Sequence, residues 1–219
     1  MKLTLLLSLF LLIAVTTSAQ IKKGSIQLGL DAGFYGNKTT QSVSGNTGSD
    51  NFYFSPSVGK AIKENLFIGL NATVSIGNHT DYNGSSKYEN KNRRYGGSIW
   101  IRQYYPIGKS FYLFLNGSAG ASANTRKYIT SQNITSSKTK GVGINAVFYP
   151  GISYQIKKNF FLDASLNNLV EIYYNRDKNE FLDQQGNMAS IIQKNYGVVT
   201  SLGNGSNPLQ FGLRWIFTK

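Results

Sequence analysis

Apolar and polar residues alternate with a period of two through most of this chain. From Ile26 to Phe34 the even positions are apolar, whereas the odd positions carry glutamine, glycine and aspartate. Seven further segments alternate in the same way, at 51–62, 66–76, 94–105, 111–122, 142–156, 160–172 and 209–217. Because successive side chains of a strand point to opposite faces, each segment is predicted to be a strand with one apolar face. The chain is therefore predicted to be all-β, with about eight strands.

The connections between these segments alternate between short and long. Short turns are expected at 63–65, 106–110 and 157–159, and long polar loops at 37–50, 78–93, 124–140 and 175–207. The long stretches are rich in Asn, Ser, Thr and Gly, which favour loops. This order is typical of an up-and-down antiparallel β-barrel that crosses an outer membrane, with short periplasmic turns and long extracellular loops.

The first residues suggest export. Lys2 precedes an apolar run from Leu3 to Val15, and small residues up to Ala19 form a cleavage site, so residues 1–19 are predicted to be a signal peptide. Residues 20–219 are then a single barrel domain. They hold no other apolar run long enough for a membrane-spanning helix. The chain has no cysteine, and its formal charge of +13 favours anionic partners.

The charged residues inside the predicted strands offer a test of the faces. A charge on the lipid face of a barrel costs about 2 to 4 kcal/mol near the bilayer midplane. The charges that fall on polar faces are Asp31, Arg102, Asp163, Glu171 and Arg214. An eight-stranded barrel has room inside for little more than side chains, and large aromatic residues share these faces. We expect a largely filled lumen with a salt-bridge network that is either structural or part of a gated ion path.

Two segments carry a family resemblance. Residues 101–109, which continue into Phe111-Tyr112-Leu113-Phe114, and the ending Phe211-Gly212-Leu213-Arg214-Trp215-Ile216-Phe217 resemble the small OmpA/OmpW-like outer-membrane barrels of Gram-negative bacteria. The resemblance implies an outer-membrane location with a structural, surface-binding or narrow-channel, porin-like role. It also implies that the barrel-assembly machinery recognises the aromatic C-terminal strand.

One predicted loop is strongly basic. The stretch 124–140 carries Arg126, Lys127, Lys138 and Lys140 with no acidic residue. Lysine and arginine pair readily with phosphate, so these residues are candidates for contact with lipopolysaccharide. A solvated loop without a ligand is the other interpretation. No nucleic-acid motif, metal site or cofactor is expected, because His79 is the only histidine.

The sequence leaves two alternative functions open. A lipid A-modifying enzyme would need a nucleophile near His79, and Ser75, Asp81, Ser85 and Ser86 lie close in sequence, but no nucleophile-elbow pattern surrounds them. The chain is therefore predicted not to be an enzyme. A secreted, lipocalin-like ligand-binding barrel would place the apolar faces inside, and periodicity alone does not distinguish inside from outside.

Overall fold

The computed structural model describes residues 20–41, 45–83, 86–129, 135–166, 169–182, 187–200 and 209–218. The predicted signal peptide lies outside these ranges, as does Lys219. The described residues form ten antiparallel strands: β1 Ile26–Gln41, β2 Gly45–Lys63, β3 Leu66–Asn83, β4 Ser86–Pro106, β5 Phe111–Ile129, β6 Thr135–Lys157, β7 Phe160–Leu166, β8 Val170–Leu182, β9 Met188–Thr200 and β10 Leu209–Phe217. No helix among them is both long enough and apolar enough to cross a membrane.

Eight of these strands close into a ring. Each strand from β1 to β6 pairs with the next, and β10 pairs with both β7 and β1. The long strand β6 is shared, because its residues 151–157 pair with β7 and its residues 137–148 pair with β8. Strand β9 then pairs with β8. The predicted all-β, up-and-down antiparallel architecture is confirmed.

The predicted short turns are present at one end, here called the lower end. They connect β2 to β3 at Glu64 and Asn65, β4 to β5 at 107–110, and β6 to β7 at 158–159. Asn65 has a φ of 58°, a left-handed conformation that asparagine tolerates better than most residues. Its amide nitrogen donates to the carbonyl of Ile21, and its side-chain oxygen accepts from the Ile21 amide, so the N-terminal segment is held across the lower end.

The prediction of long loops is wrong at the opposite, upper end. The polar stretches 37–50, 78–93 and 124–140 consist mostly of strand, and β1 pairs with β2 as far as Gln41 with Gly45. Most of 175–207 is also strand, and it includes β9, which was not predicted. Composition favoured loops here, but backbone hydrogen bonding to a neighbouring strand is available to polar residues as well as to apolar ones.

The polar faces point inward and the apolar faces outward. Outward residues such as Leu70, Ile99 and Ile144 are 57%, 58% and 60% exposed, whereas inward Arg102 is 3% exposed. The core is therefore built from the inward side chains, most of them in the lower half. Its buried apolar members are Ile21, Ala61, Phe67, Trp100, Tyr104, Tyr112, Phe114, Phe161 and Ile216. Periodicity left the direction of the faces open, and the ring geometry decides it.

Candidate functional site

Four inward charges meet in the middle of the ring. Arg102 on β4 donates from Nη1 to Oδ2 of Asp163 on β7 at 2.6 Å. Arg214 on β10 donates from Nη2 to both carboxylate oxygens of Asp31 on β1, at 2.6 and 2.9 Å. The Nε of Arg214 lies 3.2 Å from Oδ2 of Asp163, which links the two pairs. The result is a chain of alternating charge, Arg102–Asp163–Arg214–Asp31, with no net charge.

Neutral polar groups complete this network. Asn116 accepts from Nε of Arg102 at 3.0 Å, and Ser153 donates to Oδ1 of Asp163 at 2.6 Å. Tyr104 lies 3.2 Å from Nη1 of Arg102 and donates to Gln27 at 3.1 Å. The attraction within a buried ion pair compensates for the free-energy cost of desolvation only when the remaining hydrogen-bonding groups of the pair are satisfied. These partners satisfy most of the buried groups, whereas Nε of Arg214 has the charge contact with Asp163 but no hydrogen bond within the described residues.

Aromatic rings fill the lumen below the network. Tyr104 is central, with ring centroids 5.8 Å from Phe67, 6.0 Å from Tyr112 and 5.9 Å from Phe114. Phe161 stacks edge-on against Tyr112 at 5.7 Å. The guanidinium of Arg102 sits over the Phe114 ring at 4.2 Å, so this aromatic plug contacts the ion network directly. Aromatic side chains therefore occupy the lower half of the lumen.

Glycines on the inward face make room for the largest of these rings. A Cβ at Gly59 or Gly69 would overlap the indole of Trp100, and one at Gly151 would overlap the ring of Phe114. A side chain at Gly69 would also overlap the carbonyl oxygen of Val58. The bare backbone at these positions is therefore a requirement of the packing.

Above the network the lumen is an open cup rather than a packed core. Its cavity of about 380 Å³ is lined mainly by hydroxyl and amide side chains, among them Ser55, Asn71, Thr73 and Asn145. Asp31 lies in its floor, and a smaller cavity of about 30 Å³ continues down to Trp100 and Arg214. The indole Nε1 of Trp100 is buried without a hydrogen-bond partner in the described residues. The small cavity is large enough for one water molecule.

The fifth predicted lumen charge stands apart from the other four. Glu171 at the start of β8 accepts a hydrogen bond from Asn145 at 2.9 Å in the upper half of the ring. It points inward, as predicted, but the register of β8 on β6 places it above the network. Sequence reasoning did not single out Gln27, Asn116 and Ser153 as network members, although each lies on an inward face.

The four basic residues predicted in one loop lie on two paired strands instead. Lys127 pairs with Lys138, and Lys140 pairs with Thr125, and all three lysines are on the outward face. Arg126 has the opposite parity and points to the inside, where it pairs with Thr139. The structure thus brings three of the four together on the outer surface.

The residues considered for catalysis do not form a hydrolytic arrangement. His79 on β3 contacts Asp81 at 3.0 Å, whereas the hydroxyl of Ser75 donates to Asn51 at 3.2 Å. Ser85 lies outside the described residues, and nothing is described of the side chain of Ser86. In the part of the chain that the structure describes, no group of three metal-ligating side chains comes together.

Several solved bacterial membrane proteins have a similar arrangement of strands. Neisserial surface protein A is 15% identical with a TM-score of 0.37, and the alignment covers 88% of this chain and 99% of that one. A major outer membrane protein of Thermus thermophilus is 12% identical with a TM-score of 0.46, over 89% of this chain and 99% of that one. The translocator domain of the autotransporter NalP from Neisseria meningitidis is 10% identical with a TM-score of 0.32, over 98% and 94%.

These likenesses do not define a family for the chain. No family model matches the sequence, and no curated protein matches it. The function is therefore argued from the residues of the chain itself.

Proposed function

We propose that this protein is an eight-stranded β-barrel of the outer membrane, exported by residues 1–19, with a structural or surface-binding role and a closed lumen. The observation that carries the proposal is the inverted distribution of polarity. Polar and charged side chains lie inside the ring, and below the upper end the surface that faces outward is largely apolar, with the charged Lys60 on β2 as an exception. Monomeric soluble proteins rarely expose apolar patches of this extent, whereas lipid requires them.

Closure of the backbone supports the same proposal. In the hydrocarbon region every backbone amide and carbonyl must find a partner within the protein, and a ring of paired strands meets that demand. The lower half of this ring is closed on both edges by the pairing of β10 with β7 and β1. Aromatic residues at the lower end of the outward face, including Phe111, Tyr154 and Trp215, suit the interface between lipid and water.

The lumen favours a structural role over a porin-like one. Transport of a hydrated solute needs a continuous polar path, and the aromatic plug beneath the ion network interrupts it. For the same reason the network is interpreted as a fixed structural element, not as a gated ion path.

The alternatives receive less support from the geometry. A lipocalin-like soluble barrel needs an apolar cavity, whereas the cavity here is polar. A lipid A-modifying enzyme needs an activated nucleophile at the membrane surface, and the serine hydroxyl at position 75 is directed to Asn51. We accordingly propose a non-enzymatic role, without cofactor, and assembly by the barrel-assembly machinery through β10.

Heat-modifiability tests this proposal. The membrane fraction is extracted in mild detergent and run on SDS gels with and without boiling. A closed membrane barrel is expected to stay folded in SDS until it is heated, so the unboiled sample should migrate differently from the boiled one. Recovery of the protein in the soluble fraction without any shift would contradict the membrane location and favour the soluble, ligand-binding barrel.

A further inference from the structure

On five neighbouring strands the outward face changes from apolar to basic toward the upper end. The apolar part of the face ends, toward the upper end, at Tyr95 on β4, Tyr174 on β8 and Tyr196 on β9. The outward charged residues beyond it are Lys87, Glu89, Lys91 and Arg93 on β4, Lys127 on β5, Lys138 and Lys140 on β6, Arg176, Lys178 and Glu180 on β8, and Lys194 on β9. We call this surface the basic wall. It holds nine basic residues and two acidic ones.

The strand register places like charges directly opposite one another in this wall. Lys127 lies between Lys91 on one neighbouring strand and Lys138 on the other. One row lower, Lys140 lies opposite Lys178. Side chains opposite each other on one face have Cβ atoms about 4.5 to 5.5 Å apart, and like charges in that position destabilise the sheet. An anion lying over these lysines would relieve the repulsion between them.

The two acidic residues neutralise only part of the wall. Glu89 pairs with Lys87 at 2.6 Å and Lys91 at 3.0 Å, and Glu180 pairs with Lys178 at 2.8 Å. Within the described strands, Lys127, Lys138 and Lys140 form no salt bridge, although Lys138 lies opposite Glu180 and the charges of Lys138 and Lys140 help to lower the pKa of that carboxyl. These three lysines, which are contiguous on β5 and β6, define the centre of the charge that the two acidic residues offset only in part.

The other side of the ring lacks this feature. Beyond Phe34, Phe52 and Ile76 on β1 to β3, the outward side chains that the structure describes include one base, Lys38, and one acid, Asp50. The excess of positive charge is therefore confined to the strands from β4 to β9. A general requirement for solubility at the upper end would not produce such a one-sided distribution.

We propose that the basic wall binds the phosphate groups of lipopolysaccharide in the outer leaflet. The wall continues the apolar face directly, so a lipid whose acyl chains lie along that face has its phosphorylated head group beside the lysines. Lysine and phosphate form charge-assisted hydrogen bonds, and a bis-phosphorylated head group can span opposed like charges on adjacent strands. This inference rests on the proposed outer-membrane location.

Binding of purified lipid A to the refolded protein tests the inference. The protein is placed in neutral detergent micelles and titrated with bis-phosphorylated lipid A, and with the same lipid after removal of its phosphates. The triple variant K127Q/K138Q/K140Q is compared with K63Q/K157Q/K158Q, which removes the same charge from exposed lysines at the lower end. All proteins are first checked for heat-modifiability.

The wall variant is expected to bind bis-phosphorylated lipid A roughly a hundredfold more weakly than the wild type, because three basic contacts to an anionic lipid surface are lost. The lower-end variant should bind as the wild type does, and the dephosphorylated lipid should not distinguish the proteins. Unchanged binding by a heat-modifiable wall variant, or an equal loss in both variants, would overturn this inference alone. Absence of heat-modifiability in the wild type would overturn the proposed function as well.

Discussion

Strands β1 to β6 run through both halves of the barrel, with β7 and β10 beside them in the lower half and β8 and β9 in the upper half, but the two halves differ in what they enclose. In the lower half the inward positions carry Phe67, Trp100, Tyr104 and Phe114, and the guanidinium of the buried Arg102 lies over the last three of these rings. In the upper half they carry mainly serine, threonine, asparagine and glycine, which line an open cup. The inward positions are the same alternate positions of each strand in both halves. The size of the inward side chains, rather than the fold, decides whether the lumen is closed.

Two inward carboxylates, Asp163 and Glu171, differ in their surroundings in the same way as the two halves do. Asp163 is in contact with both arginines and with Ser153, and its side chain is 3% exposed. Glu171, of the same charge and on the next strand segment, receives a hydrogen bond from Asn145 in a more exposed position. One carboxylate is thus an internal counter-ion, and the other is part of the cup.

Removal of the Asp163 carboxylate should give the largest loss of stability. In Asp163→Ala, Arg102 loses its ion pair and Arg214 loses one of its two carboxylate partners. Breaking a buried ion pair costs about 3 to 5 kcal/mol in free energy of unfolding. Urea titration in detergent micelles, followed by tryptophan fluorescence, measures the change. Glu171→Ala is the matched control in the upper half, and a loss there as large as in Asp163→Ala would contradict the distinction between the halves.

Replacement of Arg102 by methionine should have the next largest effect. Methionine keeps much of the contact with Phe114 but loses the hydrogen bonds to Asp163 and Asn116. Asp163 retains Arg214 and Ser153, so we expect a loss of about 1.5 to 3 kcal/mol, the range for a hydrogen bond to a charged group. The same urea titration applies. Stability equal to that of the wild type would show that the network does not hold the lower half together.

A methyl group at Gly69 should disturb the packing of the lower half. The added Cβ overlaps the indole of Trp100 and the carbonyl of Val58, and overpacking of this kind costs about 1 to 3 kcal/mol. Gly117→Ala is the control, because its Cβ would meet only Ile101 Cγ2 at an ordinary 3.6 Å. The midpoint temperature of the gel-mobility shift compares the two variants. Equal midpoints would mean that Trp100 has free space that the geometry does not show.

The smallest effect is expected from pH at the upper end. Hydrogen bonds from Lys87 and Lys91 lower the pKa of Glu89 below its ordinary value of 4.5. A lowered pKa contributes stability above that ordinary value, and the contribution is lost as the pH falls through the pKa of the folded state. The protection factors of the amides in the β3–β4 hairpin, which correct for the slower intrinsic exchange in acid, should therefore fall as the pH is lowered. Glu89→Gln should abolish this local change, and a fall in protection that persists in that variant would assign it to another group.

Sequence periodicity predicted the strands and the two faces of each because it reflects the pleat directly. It did not predict the upper extensions, since polar residues that pair across a hairpin have the same composition as residues in a loop. Strand β9 was missed for a further reason, because Ile191 and Ile192 place apolar side chains on both faces. The predicted seventh strand, from 160 to 172, is described as β7 and β8, and residues 167–168 between them lie outside the described residues.

The sequence predicted which residues belong to the candidate site better than it predicted which of them are in contact. The parity of Asp31, Arg102, Asp163 and Arg214 placed all four inside, but only the register between distant strands shows that they meet and that Glu171 does not. Arg126 and Lys127 were predicted to lie in one loop. Because they are adjacent residues of strand β5, their side chains point to opposite faces of the sheet.

Ion flux through the purified protein tests the central claim, the closure of the lower half, most directly. The barrel is reconstituted into a planar lipid bilayer, with heat-modifiability as proof of folding, and the current is recorded under applied voltage. The aromatic plug and the ion network predict no stable conductance steps for the wild type. Reproducible steps from a folded barrel would contradict a closed lumen and favour the gated ion path.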